Sequence, residues 1–263
     1  MSDWELFEQN STDYLNRKFK EFAVFDRRGG SDSTIPDILV KTKTNKTFYI
    51  EAKQCPAQCG QFVLIPDISK RTFTYSADNA TKPNAEANEI IGFMDRDFDS
   101  FLNAGTAGKE IIMNNGQLIF ARWIVQSYKR KGVRMLITNN FKIIDINDFA
   151  DHFIISAKYR IKRSGSSSVG INAIPIVSAF IRKNYPNIDR IIPEDKKLFV
   201  TSRTYIHDQR FLLNDYEYMF SARDDKYEVR KLSNTFHANV IFSIDLIRAT
   251  PGLSDKEFTD LIQ

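Results

Sequence analysis

The sequence predicts an α/β fold, a layered core followed by a strand-rich C-terminal part. Three observations carry this reading. Apolar side chains recur at helical spacing over residues 3–21 and 116–131, as in amphipathic helices. Short β-branched and aromatic runs, Ile38–Val40 and Phe48–Ile50 foremost, alternate with them, an order that suits a sheet with helices packed on it. Near the end, Leu198–Ser202, Phe211–Phe220, Tyr227–Leu232 and Phe236–Ile244 are rich in aromatic and β-branched residues and read as strands, with Asp224-Asp225-Lys226 a hairpin turn between two of them.

In the first helix Trp4, Phe7, Leu15, Phe19 and Phe22 are expected on one face, and Glu8 follows the same stripe with Thr12, Leu15 and Phe19. A carboxylate on an apolar stripe is unusual. Ala23–Phe25 reads as a strand leading into Asp26-Arg27-Arg28-Gly29-Gly30, where paired glycines permit a tight turn. Arg27 and Arg28 either meet phosphates there or solvate the turn.

Ile38–Val40 and Phe48–Ile50 flank the polar, Asn-containing stretch Lys41–Lys46 and read as a β-hairpin. Side chains two apart on a strand share a face, so Glu51 and Lys53 point one way and Ala52 the other. Folding the hairpin brings Asp37, at the start of one strand, opposite the end of the other. Three ionisable groups thus converge at one end of an apolar hairpin, and buried charges are costly unless paired or bound to a metal. Two carboxylates able to share a hard cation, with an ammonium beside them, form the minimal apparatus for metal-assisted phosphodiester hydrolysis. The plainer alternative is a surface hairpin carrying a salt bridge.

Pro36-Asp37 followed by Glu51-Ala52-Lys53 resembles the P-D…(D/E)-x-K signature of the restriction-endonuclease-like nuclease superfamily, with Gly29-Gly30-Ser31 before the first strand and Gln54 after the second. The resemblance covers about residues 1 to 65. It implies a restriction-endonuclease-like core, with a central mixed β-sheet flanked by helices and Asp37, Glu51 and Lys53 as catalytic residues. It also implies Mg2+, one or two ions per site, held by Asp37 and Glu51. Glu8 would join them as the acidic ligand that a helix before the hairpin often supplies, with Glu5 and Asp13 as competitors for that role and a solvent-edge glutamate as the plainer reading of Glu8. The activity implied is a DNA endonuclease most like a type II restriction enzyme, cutting double-stranded DNA at a specific sequence, leaving 5′-phosphate ends and frequently working as a symmetric homodimer. Two alternatives stay open: a Holliday-junction resolvase or DNA-repair nuclease of the same superfamily, and a non-catalytic DNA-binding module on such a scaffold. Retention of Asp37, Glu51 and Lys53 together argues against the second.

After the hairpin, Pro56–Gly60 breaks the strand, Gln61–Ile65 is another extended piece, and residues 67–84 read as a long polar loop. Helices are expected over 85–102 and 116–131. In the second, Leu118, Ile119, Trp123, Ile124 and Tyr128 keep helical spacing, and Lys129-Arg130-Lys131-Gly132 ends it with a glycine cap and dipole-favoured cations. Arg134–Thr138 and Phe141–Ile144 read as strands, the first extending the central sheet. With Phe153–Arg163 as a strand, Lys158, Arg160 and Lys162 share one face, Tyr159 and Ile161 the other, and Arg163 opens a Gly/Ser loop. Lys158, Arg160, Lys162 and Arg163 are therefore candidate DNA contacts, the alternative being an edge strand protected by charge. Residues 171–185 read as a helix interrupted near Pro175. The Gly/Ser loop suggests a division into residues 1–165, the nuclease core, and 166–263, a recognition or dimerisation region, with continuous packing across it left open.

The chain has 263 residues, 42% of them hydrophobic and 21 of them Phe, which suits a substantial folded core and excludes a disordered polymer. A net charge of +4 is compatible with a polyanionic partner without requiring one. No uninterrupted apolar run reaches the ~18 residues of a membrane span, and the N-terminus lacks a signal-peptide pattern; a cytoplasmic protein without membrane association is expected. Cys55 and Cys59 have no second pair to complete a tetrahedral zinc site and are expected as reduced thiols. His152, His207 and His237 are scattered and suggest no shared site.

Overall fold

The structure, a computed structural model, describes residues 3–28, 35–163, 165–234 and 236–263. The elements in chain order are α1 (Asp3–Phe19), β1 (Ala23–Arg27), β2 (Ile38–Thr42), β3 (Thr47–Lys53), β4 (Ala57–Asp67), β5 (Thr72–Tyr75), α2 (Ala85–Arg96), α3 (Phe98–Leu102) and β6 (Lys109–Glu110). Next come α4 (Gly116–Arg130), β7 (Val133–Thr138), β8 (Lys142–Asp145), α5 (Phe149–His152), β9 (Phe153–Arg163), β10 (Ser166–Ser168) and α6 (Ile174–Asn184). The chain ends with β11 (Ile188–Glu194), β12 (Lys197–Ser202), β13 (Arg210–Leu213), β14 (Tyr216–Arg223), β15 (Lys226–Leu232), β16 (Phe236–Leu246) and α7 (Asp255–Ile262).

Two compact units result, Met1–Arg160 with Ala238–Gln263, and Ile161–His237. The expected division at 165 lies close to the first boundary, but the second region does not run to the C-terminus. Two burials draw the last residues back. β16 pairs along β4 from Ala238↔Leu64 to Ile244↔Ala57, and α7 buries Phe258 and Ile262 completely in the first unit's core.

In the first unit the sheet order β1-β2-β3-β7-β8 is mixed: β3 and β7 are parallel and the other neighbours antiparallel. The hairpin register pairs Ile38 with Ile50 and Val40 with Phe48, and its turn is closed by Asn45 at φ 61°, a conformation Asn tolerates well. One sheet face, with Phe25, Ile38, Val40, Ile50, Ala52 and Ile137, packs on Leu15 and Phe19 of α1 and on α7. Each of these side chains larger than Ala52 contributes roughly 1.5–3 kcal/mol by leaving water.

The second sheet has the order β5-β4-β16-β9-β6. Helix α4 joins it through Trp123, stacked 4.5 Å from Phe242 and tilted 5.6 Å from Phe62. A Cβ at Gly60 would lie 2.7 Å from the Trp123 ring, so the close approach of β4 to α4 requires glycine there.

The second unit is a six-stranded antiparallel sheet of order β11-β12-β15-β14-β13, with β10 on β15. Val177 and Ile181 of α6 cover one face by packing with Leu198, Val200, Phe220 and Val229.

Several expectations change. Trp4 is 48% exposed and lies off the buried stripe, which is Glu8, Ser11, Thr12, Leu15 and Phe19. The loop over 67–84 contains β5, whose Phe73 is buried against Phe98 and Tyr159. The helix over 85–102 breaks at Asp97 into α2 and α3. Pro175 lies in the first turn of α6, where its missing N–H costs nothing, and does not interrupt it. Phe211–Phe220 is a hairpin turned at Asn214 and Asp215, both at positive φ. The Gly29-Gly30-Ser31 turn lies outside the described residues. No helix among the described residues is long and apolar enough to cross a membrane.

Candidate active site

The hairpin register that buries Ile38 and Ile50 on the α1 side turns their neighbours to the opposite face. Asp37, one residue before β2, therefore stands across from Glu51, with Lys53 beside them. Asp37 Oδ2 accepts the Ala52 N–H at 2.9 Å, which ties the start of β2 to the end of β3. Lys53 Nζ lies 2.7 Å from Glu51 Oε1 and 3.9 Å from Asp37 Oδ2. The end of β3 is held in turn by Thr138, whose hydroxyl donates to the Lys53 carbonyl at 2.6 Å, and by the Asn139 amide, which bonds Cys55 N–H and C=O at 2.6 and 2.8 Å.

Asp37 and Glu51 are each 8% exposed, so their charges are largely cut off from water. Burial, and then the Glu51 charge, push the Asp37 carboxyl up to about 7 against the opposing Lys53 charge and Ala52 N–H. Burial works against the Lys53 ammonium, but Glu51 and Asp37 outweigh it and raise its pKa. Lys53 therefore stays charged at neutral pH, while a good fraction of Asp37 is protonated unless further positive charge arrives.

This crowding tests whether a divalent ion suits the site. The adjacent donors are hard carboxylate oxygens, the class that Mg2+ prefers, and a dication would relieve the repulsion that lifts Asp37. The residues fit such an ion through Asp37 and Glu51. Among the described residues no three of His, Cys, Asp and Glu stand together as a metal-holding group. A bound ion would thus take its remaining ligands from water or substrate.

Glu8 is buried on α1, and its charge reaches Asp37. Its Oε2 is engaged by Arg27 at 3.2 Å from Nη2 and 3.4 Å from Nε, so the structure places it beside the pair rather than in one ligand set with it. Asp13 is exposed and bonded to Gln9. Arg28 lies 3.9 Å from Asp26.

Tyr128 was legible in the sequence only as part of an apolar helix stripe. It is buried on α4, with its hydroxyl interacting with Glu51, and burial followed by the Glu51 charge raises its pKa. A tyrosine within an otherwise apolar stripe is the available signal, since a buried hydroxyl needs a partner. Cys55 and Cys59 are free, buried thiols, both pushed up chiefly by burial, and so stay protonated.

On β9, Tyr159 is fully buried while Lys158 and Arg160 lie half-buried on the other face, as the alternation requires. Lys158 Nζ is 3.7 Å from Glu110, and the buried Arg160 Nε has no partner among the described residues. β9 lies beside β16 and is paired on its other side by the two-residue β6 at Lys158 and Tyr159. The side chains of Lys162 and Arg163 lie outside the described residues, although their backbone continues β9.

No protein-family model matches the chain, and no curated protein matches it. A solved structure of the HhaI endonuclease in complex with DNA is similar to it at a TM-score of 0.80 and 36% identity, over 98% of this chain and 96% of that chain. With that identity sustained over nearly the whole of both chains, this chain belongs to the family of the HhaI endonuclease, a restriction-endonuclease-like nuclease.

Proposed function

We propose that the protein is a magnesium-dependent DNA endonuclease of the type II restriction kind, cutting double-stranded DNA at a specific sequence and leaving 5′-phosphate ends. The observation that carries the reading is the convergence of Asp37, Glu51 and Lys53 on one face at the end of a hairpin. The likeness to the HhaI endonuclease supports it. Asp37 and Glu51 would hold Mg2+, and Glu8 supports the negative field behind them. An ion held there would supply Lewis acidity towards the scissile phosphate and an attacking water of lowered pKa. Lys53, positioned by Glu51 and kept cationic, stabilises charge that develops on the phosphate and orients the water. Ala52 N–H and Tyr128 keep the two carboxylates in place. Lys158, Arg160, Lys162 and Arg163 contact DNA, the second unit serves recognition or dimerisation, and a homodimer cuts both strands.

The direct test incubates the purified protein with mixed plasmid DNA and magnesium and sequences the ends. Discrete fragments sharing one terminal sequence and a 5′-phosphate are expected, with none in EDTA. Intact linear duplex beside cut branched DNA would replace this reading by a junction resolvase. In Asp37→Ala and Glu51→Ala, cleavage should be lost while DNA binding persists; near-parental cutting by either removes the metal-site assignment.

A further inference from the structure

The catalytic end of β3 runs past its neighbour in the hairpin. The β2–β3 pairing stops at Ile38↔Ile50, so among the described residues no strand pairs with Glu51, Ala52 and Lys53 on that side. There the Ala52 N–H is taken by the Asp37 carboxylate at 2.9 Å. On the other side β7 accompanies the three residues, from Glu51↔Leu136 to Lys53↔Thr138. A strand end supported along one edge frays readily, and this one carries Lys53, the group that the reading above sets against the scissile phosphate.

Two side chains carry the support beyond the last strand pair. The buried Thr138 hydroxyl donates to the Lys53 carbonyl at 2.6 Å. The Asn139 amide accepts the Cys55 N–H at 2.6 Å and donates to the Cys55 carbonyl at 2.8 Å. A backbone N–H and C=O satisfied from one side is what a paired strand would supply, so the Asn139 side chain stands in for a strand where β7 ends. Directly after it the chain turns back through Asn140 and Phe141 at φ 60° and 54°. Asn tolerates this left-handed region, whereas a bulky residue rarely adopts it. Phe141 stacks on Tyr14 at 4.6 Å and on Phe7 at 6.2 Å, so the reversal that follows Asn139 is braced against α1.

We propose that Thr138 and Asn139 are positioning residues for cleavage: they fix the main chain at Lys53 and Cys55 and so set where the Lys53 ammonium stands relative to the phosphate. The inference rests on the nuclease reading above. Glu51 reaches Lys53 Nζ at 2.7 Å, which directs the end of a long, flexible side chain, but that direction places the charge only if the backbone at its root is fixed as well. Asp37 and Glu51, which also touch this strand end, are the carboxylates assigned to Mg2+, so their hold on it is shared with that role. Thr138 and Asn139 are neutral and bond to backbone groups, which keeps their hold independent of the charge in the site. A misplacement of about 1 Å at a reacting group costs on the order of a hundredfold in rate.

The test measures kcat and KM of the full chain for the duplex recovered from the cleavage experiment, at saturating magnesium and at a temperature where thermal unfolding shows every variant folded. Thr138→Val keeps the shape and removes the hydroxyl; Asn139→Ala removes both bonds to Cys55 and adds no charge. Each should lower kcat by about tenfold to a hundredfold, with KM and the calorimetric affinity for magnesium little changed. Thr138→Ser, which restores the hydroxyl, should recover most of the rate. Both substitutions are then repeated in a Lys53→Ala background. Residues that act through Lys53 have nothing left to position there, so the further loss should be under about twofold, whereas a purely structural role predicts the same loss in both backgrounds. An unchanged kcat in Thr138→Val and Asn139→Ala, an equal loss with and without Lys53, or a loss confined to magnesium affinity overturns the proposal. If Thr138→Val does not fold, Asn139→Ala decides alone. If the unaltered protein cuts no DNA, the nuclease reading fails and this inference with it; a cutting parent with insensitive variants sinks only the inference.

Discussion

Replacing Asp37 by Asn should stabilise the metal-free protein at alkaline pH, and magnesium should narrow that advantage. Asn keeps the volume and an acceptor for the Ala52 N–H, which now sits 2.9 Å from Asp37, but cannot ionise. Burial and the Glu51 charge place the Asp37 pKa at about 7, against an ordinary 3.8. The folded state therefore holds a proton that the unfolded chain releases between pH 4 and 7, and parental stability falls as pH rises through that window. Above it the loss is complete, at ~1.4 kcal/mol per pH unit, or about 4 kcal/mol as an upper bound. Near pH 4 the two proteins should be equally stable. Urea unfolding at pH 4 and 8.5 in EDTA measures the difference, and repetition at pH 8.5 with millimolar magnesium should narrow it, because only the parent gains from the bound ion. A variant no more stable than the parent at pH 8.5 in EDTA would refute the charge-crowding argument. Equal stabilisation of both by magnesium would remove Asp37 from the ion's ligands.

Three further outcomes are expected. Lys53→Ala should slow cleavage by about 10²- to 10³-fold, the loss typical of one preorganised electrostatic group, with magnesium binding retained by calorimetry; lost binding with otherwise normal chemistry would contradict its role. Tyr128→Phe should weaken magnesium binding by about 10- to 100-fold, as loss of an outer partner of a ligand does, and cost ~1–2 kcal/mol of stability; a magnesium titration of the thermal midpoint reads both. Phe258→Ala removes a fully buried ring lying 4.7 Å from Phe19 and should cost about 3–5 kcal/mol in urea unfolding, whereas a cost below about 1 kcal/mol would place α7 outside the core.

The site was legible because period-two alternation and one tight turn determine it locally. Once Ile38 to Val40 and Phe48 to Ile50 are strands of one hairpin, the faces of Asp37, Glu51, Ala52 and Lys53 follow without distant information. Glu8 was legible for the same reason, since helical periodicity alone sets its stripe. What engages Glu8 was not, because Arg27 reaches it through the packing of β1 on α1. Tyr128 reaches Glu51 across 77 residues of chain, a contact that no local pattern encodes. The elements missed were likewise those whose identity depends on a remote partner. Ser166–Ser168 is polar, and only its pairing with β15 makes it a strand. The last turns of the chain belong to the first unit because Phe258 and Ile262 find their pocket there, although the Ser254 capping box with Glu257 was a readable start signal for α7.

The two charged clusters follow one rule with opposite sign. In the first unit the three buried carboxylates Glu8, Asp37 and Glu51 face two cations, Arg27 and Lys53, an excess of negative charge that lifts Asp37 and that a dication would neutralise. In the second unit one buried carboxylate, Glu228, faces two guanidiniums. Burial alone would raise its pKa, yet Arg230 and Arg223 outweigh burial and hold it below the usual carboxylate range. That cluster keeps a positive remainder, which the half-exposed Arg223 carries into solvent. A folded chain seldom buries unbalanced charge without a ligand to settle it. Only the first cluster buries such an imbalance, and a hard cation is the ligand that would settle it.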